Sequence, residues 1–235
     1  MTVEEMIAER TEKLEAIKDS SNAAVIAKGG SAADDLSGLP AAISSIPSGG
    51  GGAKEPYIEE TYNANGELIE ANLVGYTAIR PYAFYSCRKL ALTSLPSGLI
   101  SIGDNAFYSC QKLALTSLPS GITNISRGTF NNCQKLALTS LPSGLIGIGA
   151  LAFSNCASLA LTSLPSGLTS IGNNAFDGCT GLTSITFQGK PNSISSSAFN
   201  RCTNLKTINV PWASGEVANA PWGATNATIN YNYKG

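Results

Sequence analysis

Six cysteines stand at Cys87, Cys110, Cys133, Cys156, Cys179 and Cys202, each 23 residues after the last, and six phenylalanines keep the same beat at Phe84, Phe107, Phe130, Phe153, Phe176 and Phe199. No other feature of the chain limits its fold so tightly. One unit reads A-F-x-x-C-x-x-L-A-L-T-S-L-P-S-G-L-x-x-I, and much of it recurs almost unchanged from Lys89, Lys112, Lys135 and Ser158. A unit this short cannot bury its own apolar face, whereas stacked copies can, each coil covering the next. The Phe and Cys positions are therefore expected to form the repeated core of a solenoid.

Within one unit Leu113, Leu118, Ile122, Ile125, Phe130 and Cys133 are apolar at unequal gaps. No single helical or strand period fits them, as expected of a coil that turns corners. The Leu-to-Leu stretch before each Pro-Ser-Gly suits one short strand. Pro96, Pro119, Pro142 and Pro165 would end it, because proline cannot donate to a ladder, and Gly98, Gly121, Gly144 and Gly167 would supply turn flexibility. Equivalent strands would stack about 4.8 Å apart in a parallel sheet. This pattern resembles the L-P-x-x-L-x-x-I-x-x-x-A-F-x-x-C signature of the BspA-like, or Treponema-type, leucine-rich repeats, over residues 68–211. The resemblance implies a leucine-rich-repeat solenoid of short parallel β-strands joined by turns and short helical segments. The family hosts adhesins, surface proteins and virion proteins, so the resemblance bears on fold more sharply than on function.

The solenoid is read over residues 57–210, with an irregular first coil at 57–83 carrying Leu68, Leu73 and Ile79. Residues 211–235 read as a C-terminal cap, because a solenoid must hide its raw ends. In it, Trp212 and Trp222 are expected as plugs over the last coil, and Ala227–Tyr233 alternates like an edge strand. Residues 1–48 are another kind of chain. Thr2 with Glu5 forms a capping box, and Val3, Ile7, Leu14 and Ile17 make a narrow coiled-coil-like seam, so a short helical attachment and oligomerisation segment is expected. Residues 49–56 read as a glycine-rich linker. Segment 23–46 resembles N-terminal attachment segments of bacteriophage and prophage tail and baseplate proteins. The C-terminal Pro-Trp-Gly-Ala-Thr-Asn-Ala-Thr-Ile-Asn-Tyr-Asn-Tyr resembles the ends of phage-associated repeat proteins.

The formal charge of −1 hides an asymmetry: residues 1–70 hold 13 of the 16 acids and 5 of the 15 bases, leaving 3 acids and 10 bases for the remainder. Such a split suggests two modules with different jobs. The second is mildly basic, but its bases are too dispersed for a nucleic-acid patch. With no histidine, catalytic triads, Cys-His pairs, His-ligated metals and imidazole switches are excluded. No apolar run of 18 residues is present, so no membrane-spanning helix is expected. Each coil offers one cysteine, and zinc needs four converging ligands. The cysteines are therefore expected to be small, reduced core residues without metal. The acidic start is unlike a secretory signal, which implies a reducing birthplace in the bacterial cytoplasm. Asp104, Asp177 and Glu216 sit at different positions of their coils, which argues against a glycosidase pair. Gly49–Gly52 lacks the Lys-Ser/Thr of a P-loop. No cofactor is expected.

One ambiguity bears on function. In four coils Leu92, Leu115, Leu138 and Leu161 precede Thr93, Thr116, Thr139 and Thr162, where the family pattern puts an inward apolar residue, as Ile185 and Ile208 are. Either the leucines turn inward, or the threonines ladder inside and four leucines form an exposed candidate interface. Inward burial is favoured, since an exposed leucine stripe is a solubility liability. The leading expectation is a non-enzymatic, virion-associated tail, baseplate or receptor-binding accessory protein. Its solenoid would recognise a host-cell glycan or protein, and its N-terminal segment would bind other tail proteins or itself, as a homotrimer by analogy with tail fibres. The alternative is a BspA-like adhesin on the bacterial cell surface.

Overall fold

The computed structural model describes residues 57–62 and 66–234. The expected seam at Val3, Ile7, Leu14 and Ile17, and the linker at 49–56, lie outside the described residues. β1 (Tyr57–Tyr62) and β2 (Leu68–Val74) pair antiparallel. These two strands are thus an antiparallel pair rather than part of the irregular first coil expected there. The Asn65-Gly66 pair is a strong hairpin signal, and Gly66 adopts φ 72°. Leu68, Ala71 and Leu73 are buried, and the amide of Ala91 donates to the Ile69 carbonyl at 2.8 Å, which ties the hairpin to the first coil.

The coils contribute two runs of parallel pairing. The first comprises β3 (Ala78–Ile79), β4 (Ser101–Ile102), β5 (Asn124–Ile125), β6 (Gly147–Ile148), β8 (Ser170–Ile171) and β10 (Ser193–Ile194). Here β3 pairs with β4, and β5, β6, β8 and β10 pair in that order, always isoleucine beside isoleucine. The second comprises β7 (Ser163–Leu164), β9 (Ser184–Phe187), β11 (Thr207–Asn209) and β12 (Thr228–Asn230). The regular strands of the early coils therefore follow the Pro-Ser-Gly turn instead of preceding it. The reason lies in the step between inward residues. Leu113, Leu115 and Leu118 are spaced two then three, which breaks the pleat just where a ladder would run. Leu182, Ile185 and Phe187 are spaced three then two, which leaves Ser184–Phe187 free to alternate inward and outward. In the early coils one inter-coil bond survives there, such as the Ala114 amide to Leu92 at 2.9 Å.

The six phenylalanines are fully buried and stack along the solenoid, with consecutive ring centroids 5.1–5.7 Å apart. Beside them, Cys110, Cys133, Cys156, Cys179 and Cys202 are buried and each donates its thiol, at 3.0 Å, to the carbonyl of the phenylalanine 26 residues earlier. Cys87 departs from the expected core position and is only half-buried. A hairpin precedes its coil, so no phenylalanine carbonyl stands 26 residues before it.

Two residues of each early coil adopt left-handed backbone. Tyr82, Asn105, Gly128, Leu151 and Asn174 form one series, and Ser86, Ser109, Asn132, Asn155, Gly178 and Arg201 the other, with φ between 53° and 69°. They flank each phenylalanine two positions away and swing the chain around it. Asparagine and glycine suit this conformation, and Gly128 meets a second demand, since a Cβ there would lie 2.1 Å from Asn105 Oδ1. By contrast, Gly98 and Gly144 of the Pro-Ser-Gly turns face open space with ordinary φ. Those turns close instead through the following leucine, whose amide donates to the proline carbonyl at 3.0 Å (Leu99 to Pro96) and 3.1 Å (Leu145 to Pro142).

At the C-terminal end Trp222 is fully buried and Trp212 is 4% exposed. Both lean on Phe187, with centroids 6.0 and 5.2 Å away, and meet each other edge-on at 6.3 Å. The Trp222 indole donates to the Ala218 carbonyl at 2.7 Å. The Trp212 indole nitrogen has no hydrogen-bond acceptor, and its ring packs nearly perpendicular to that of Phe187, at 79°.

Candidate functional site

The surface in question is set by the Leu-Thr-Ser triplet of the early coils. Leu115 and Leu138 are fully buried and Leu161 is 1% exposed, while Leu92, in the coil next to the hairpin, is half-buried against the core. The four leucines are therefore not an exposed interface. Their side chains enter the gap between Leu113 and Leu118, or the equivalent residues, where the chain makes its three-residue step. What that step turns outward is Thr93, Thr116, Thr139 and Thr162, all exposed, with Ser94, Ser117 and Ser140 beside them.

This is a hydroxyl lattice with a fixed repeat. Among the described residues, the four threonine side chains make no hydrogen bond to the rest of the chain. The neighbouring column of Ser94, Ser117 and Ser140 continues in the last coils as Thr186, Asn209 and Asn230 and is self-satisfied there: Asn209 donates to Thr186 Oγ1 at 3.1 Å, and Asn230 donates to Asn209 Oδ1 at 2.8 Å. Each unpaired hydroxyl offers one donor and two acceptor positions to a ligand. At the N-terminal end the lattice runs into an open groove of about 690 Å³ between β2 and the first coil, lined by Glu70, Leu92, Thr93, Ser94 and Pro96 among others.

A second stripe escaped the sequence reading. Ile100 and Ile146 are 60% and 48% exposed and alternate with exposed Thr123 and Thr169 at the same 23-residue interval, just before the first-run strands. Its signal lay in the variable position two residues after each Pro-Ser-Gly, which alternates Ile and Thr. The outward strand residues beside it, Ser101, Asn124, Gly147 and Ser170, are all small and uncharged.

Charged chemistry is sparse. Asp177 accepts a bidentate pair from Arg201 at 2.8 and 2.5 Å, which raises the pKa of the guanidinium through hydrogen bonding and charge. Lys190 meets Glu216 at 2.7 Å, and that contact, with the Ala213 amide, lowers the pKa of the Glu216 carboxyl. Both carboxylates thus serve ion pairs within the last coils. Burial raises the pKa of the cysteine ladder well above the ordinary thiol value, to about 12 at Cys202, so these groups stay protonated and unreactive. No group of three or more Cys, Asp or Glu able to hold a metal ion occurs among the described residues.

Residues 77–206 match the model of the BspA type leucine-rich repeat region, in six copies. The leucine-rich repeat protein TpLRR of Treponema pallidum is similar at 28% identity, over 65% of this chain and 81% of that one, with a TM-score of 0.52. A leucine-rich cell surface protein of Faecalibacterium prausnitzii is 27% identical over 68% of this chain and 52% of that one, with a TM-score of 0.45. A leucine-rich repeat protein of Bacteroides ovatus is 19% identical over 74% of this chain and 75% of that one, with a TM-score of 0.38. No curated protein sequence matches.

Proposed function

The chain belongs to the BspA type leucine-rich repeat family, and from that premise we propose that it is a non-enzymatic recognition protein whose solenoid displays the Thr/Ser lattice to a cell-surface glycan or protein. The observation that carries this reading is the set of four exposed, unpaired threonines, one per coil, each following a leucine that is buried or, at Leu92, half-buried. Many equivalent weak contacts then sum to avidity when copies are presented together. The uncharged hydroxyl surface suits partners that offer hydroxyls and amides of their own.

The setting we infer is a bacteriophage or prophage tail. Its support is the resemblance of residues 23–46 and of the C-terminal residues to tail-associated proteins. In this reading residues 1–48 bind other tail proteins or a second and third copy of the chain, and the solenoid faces the host. A second setting, an adhesin on the bacterial surface, is favoured by the family membership itself. Fluorescent multimers of the full-length protein should label cells of the host or partner species, and antibody should decorate purified particles. Cell labelling with decoration of the producing bacterium, and none of particles, would select the adhesin. Absence of labelling on every candidate cell, together with normal adsorption of particles lacking the protein, would overturn the recognition reading.

A further inference from the structure

One edge of the solenoid carries chemistry that the hydroxyl lattice does not use. Lys89, Lys112 and Lys135 occupy the same place in three consecutive coils, two residues after each cysteine, and all three are exposed. Each sits in the same turn, in which Leu90, Leu113 and Leu136 donate their amides to Cys87, Cys110 and Cys133 at 3.0–3.1 Å. The next residues tie neighbouring coils together, Ala114 to Leu92 and Ala137 to Leu115, so the lysines stand one coil apart, about 4.8 Å at the backbone. Arg88 adds a fourth exposed cation. None of the four has an ion-pair partner among the described residues. In the later coils the same position holds Ser158, Gly181 and Asn204, so the lysine row is confined to the N-terminal half of this edge; Lys206, at the far end, donates to the Thr203 carbonyl at 3.2 Å.

Four residues before Lys89 and Lys112 in the sequence stand two stacked tyrosines, one exposed and one half-buried. Tyr85 and Tyr108 stack at 4.7 Å with rings 7° apart. Tyr85 is 47% exposed, and Tyr82, 58% exposed, tilts against it at 5.9 Å. A row of like charges spaced more closely than the screening length is unfavourable unless a counter-charge lies along it.

We propose that this edge binds a linear anionic glycan laid along the solenoid axis, its acidic groups on Lys89, Lys112 and Lys135 and a sugar ring against Tyr85 and Tyr108. This rests on the recognition reading above and names the partner class for a second surface. The tyrosines favour a glycan over a single-stranded nucleic acid. Single-stranded nucleic acid is held by aromatic platforms repeated along a basic groove, whereas here the rings are gathered in one group, Tyr85 stacked on Tyr108 and Tyr82 tilted against Tyr85.

Full-length protein should be measured against immobilised polygalacturonate, whose acid is a carboxylate, against wall teichoic acid, whose acid is a phosphodiester, and against neutral dextran. At least one anionic polymer should bind, more weakly as salt rises, and dextran should not; the two anionic arms tell the acid types apart. The triple variant K89Q/K112Q/K135Q should bind about tenfold more weakly, the product of three exposed charge contacts. The triple variant K190Q/K206Q/K234Q, with the same change in net charge, should bind as wild type, and matched thermal melts should show both folded. Equal loss in both triple variants would overturn the proposal, as would single-stranded DNA competing as well as the polymer. If wild-type multimers label cells but neither polymer binds, this inference fails while the recognition reading stands. If cells and polymers are both ignored, both fail.

Discussion

The thiol of Cys133 donates to the carbonyl of Phe107, one coil back and 3.0 Å away, while the amide of Cys133 donates to Phe130 of its own coil at 3.1 Å. The Phe107 carbonyl also accepts the amide of Cys110 at 3.1 Å. Both acceptor positions of a buried carbonyl are thereby used, one within the coil and one between coils. The cysteine is small enough for the core and still supplies the donor that a valine could not.

The thiols should therefore divide sharply in reactivity. One thiol per chain, that of half-buried Cys87, should react promptly with a disulfide reagent in the native state, and all six only in denaturant. Two or more fast thiols in the native protein would contradict the buried ladder.

Alkali should unfold the protein for the same reason. Below about pH 8.5 the thiols are protonated in both states, and the ladder is intact. At higher pH the unfolded chain releases protons that the folded chain keeps, because burial raises the folded values, to about 12 at Cys202. Stability should then fall with rising pH, by up to about 1.4 kcal/mol per unit for each such thiol. Urea midpoints measured from pH 7 to 10.5 check this; a flat profile would contradict it.

Leu138 and Thr139 are neighbours with opposite fates, one fully buried and one exposed. Leu138→Ala should cost about 2–5 kcal/mol, and Thr139→Ala within about 0.5 kcal/mol. Urea denaturation of the two variants tests the orientation directly, and comparable losses would refute it.

Leu151 holds φ 60° at a position where Gly128 and Asn174 stand in neighbouring coils. Its left-handed backbone costs a non-glycine, non-asparagine residue about 1–2 kcal/mol. Leu151→Asn should accordingly raise stability by about 1 kcal/mol despite the loss of a half-buried leucine. A lower melting temperature would show that its packing outweighs the backbone term.

Trp222 is fully buried at the C-terminal end, packed against Phe187 and Trp212 rather than within the phenylalanine stack. Trp222→Ala should cost about 3–5 kcal/mol, with hydrogen exchange accelerated first in β11 and β12. Uniform acceleration across all coils would instead mark the solenoid as a single cooperative unit.

How far all this could be read from residues alone depended on their spacing. The stacking of Phe84 through Phe199 followed from a strict 23-residue interval, which admits little but a solenoid. The strands did not follow, because two-residue elements such as Ser101–Ile102 leave no alternation to detect. The left-handed pairs were written in Asn105, Gly128 and Asn174, yet Tyr82 and Leu151 at the same place blurred the pattern. The outward threonines could be posed only as one of two alternatives, since Leu-Thr-Ser allows either residue inside until the three-residue step is located. Ile100 and Ile146 were missed because their position varies between coils and so reads as an unconstrained one.

The hydroxyl lattice makes the most direct demand. Thr93, Thr116, Thr139 and Thr162 should be changed to glutamate one after another in the full-length protein, and tetramer binding to a labelled cell measured at each step. Equivalent contacts along the solenoid predict a stepwise fall, each substitution lowering apparent affinity by a similar factor. Binding unchanged in the quadruple variant would contradict the lattice as a recognition surface, and complete loss at a single position would replace it with one discrete site.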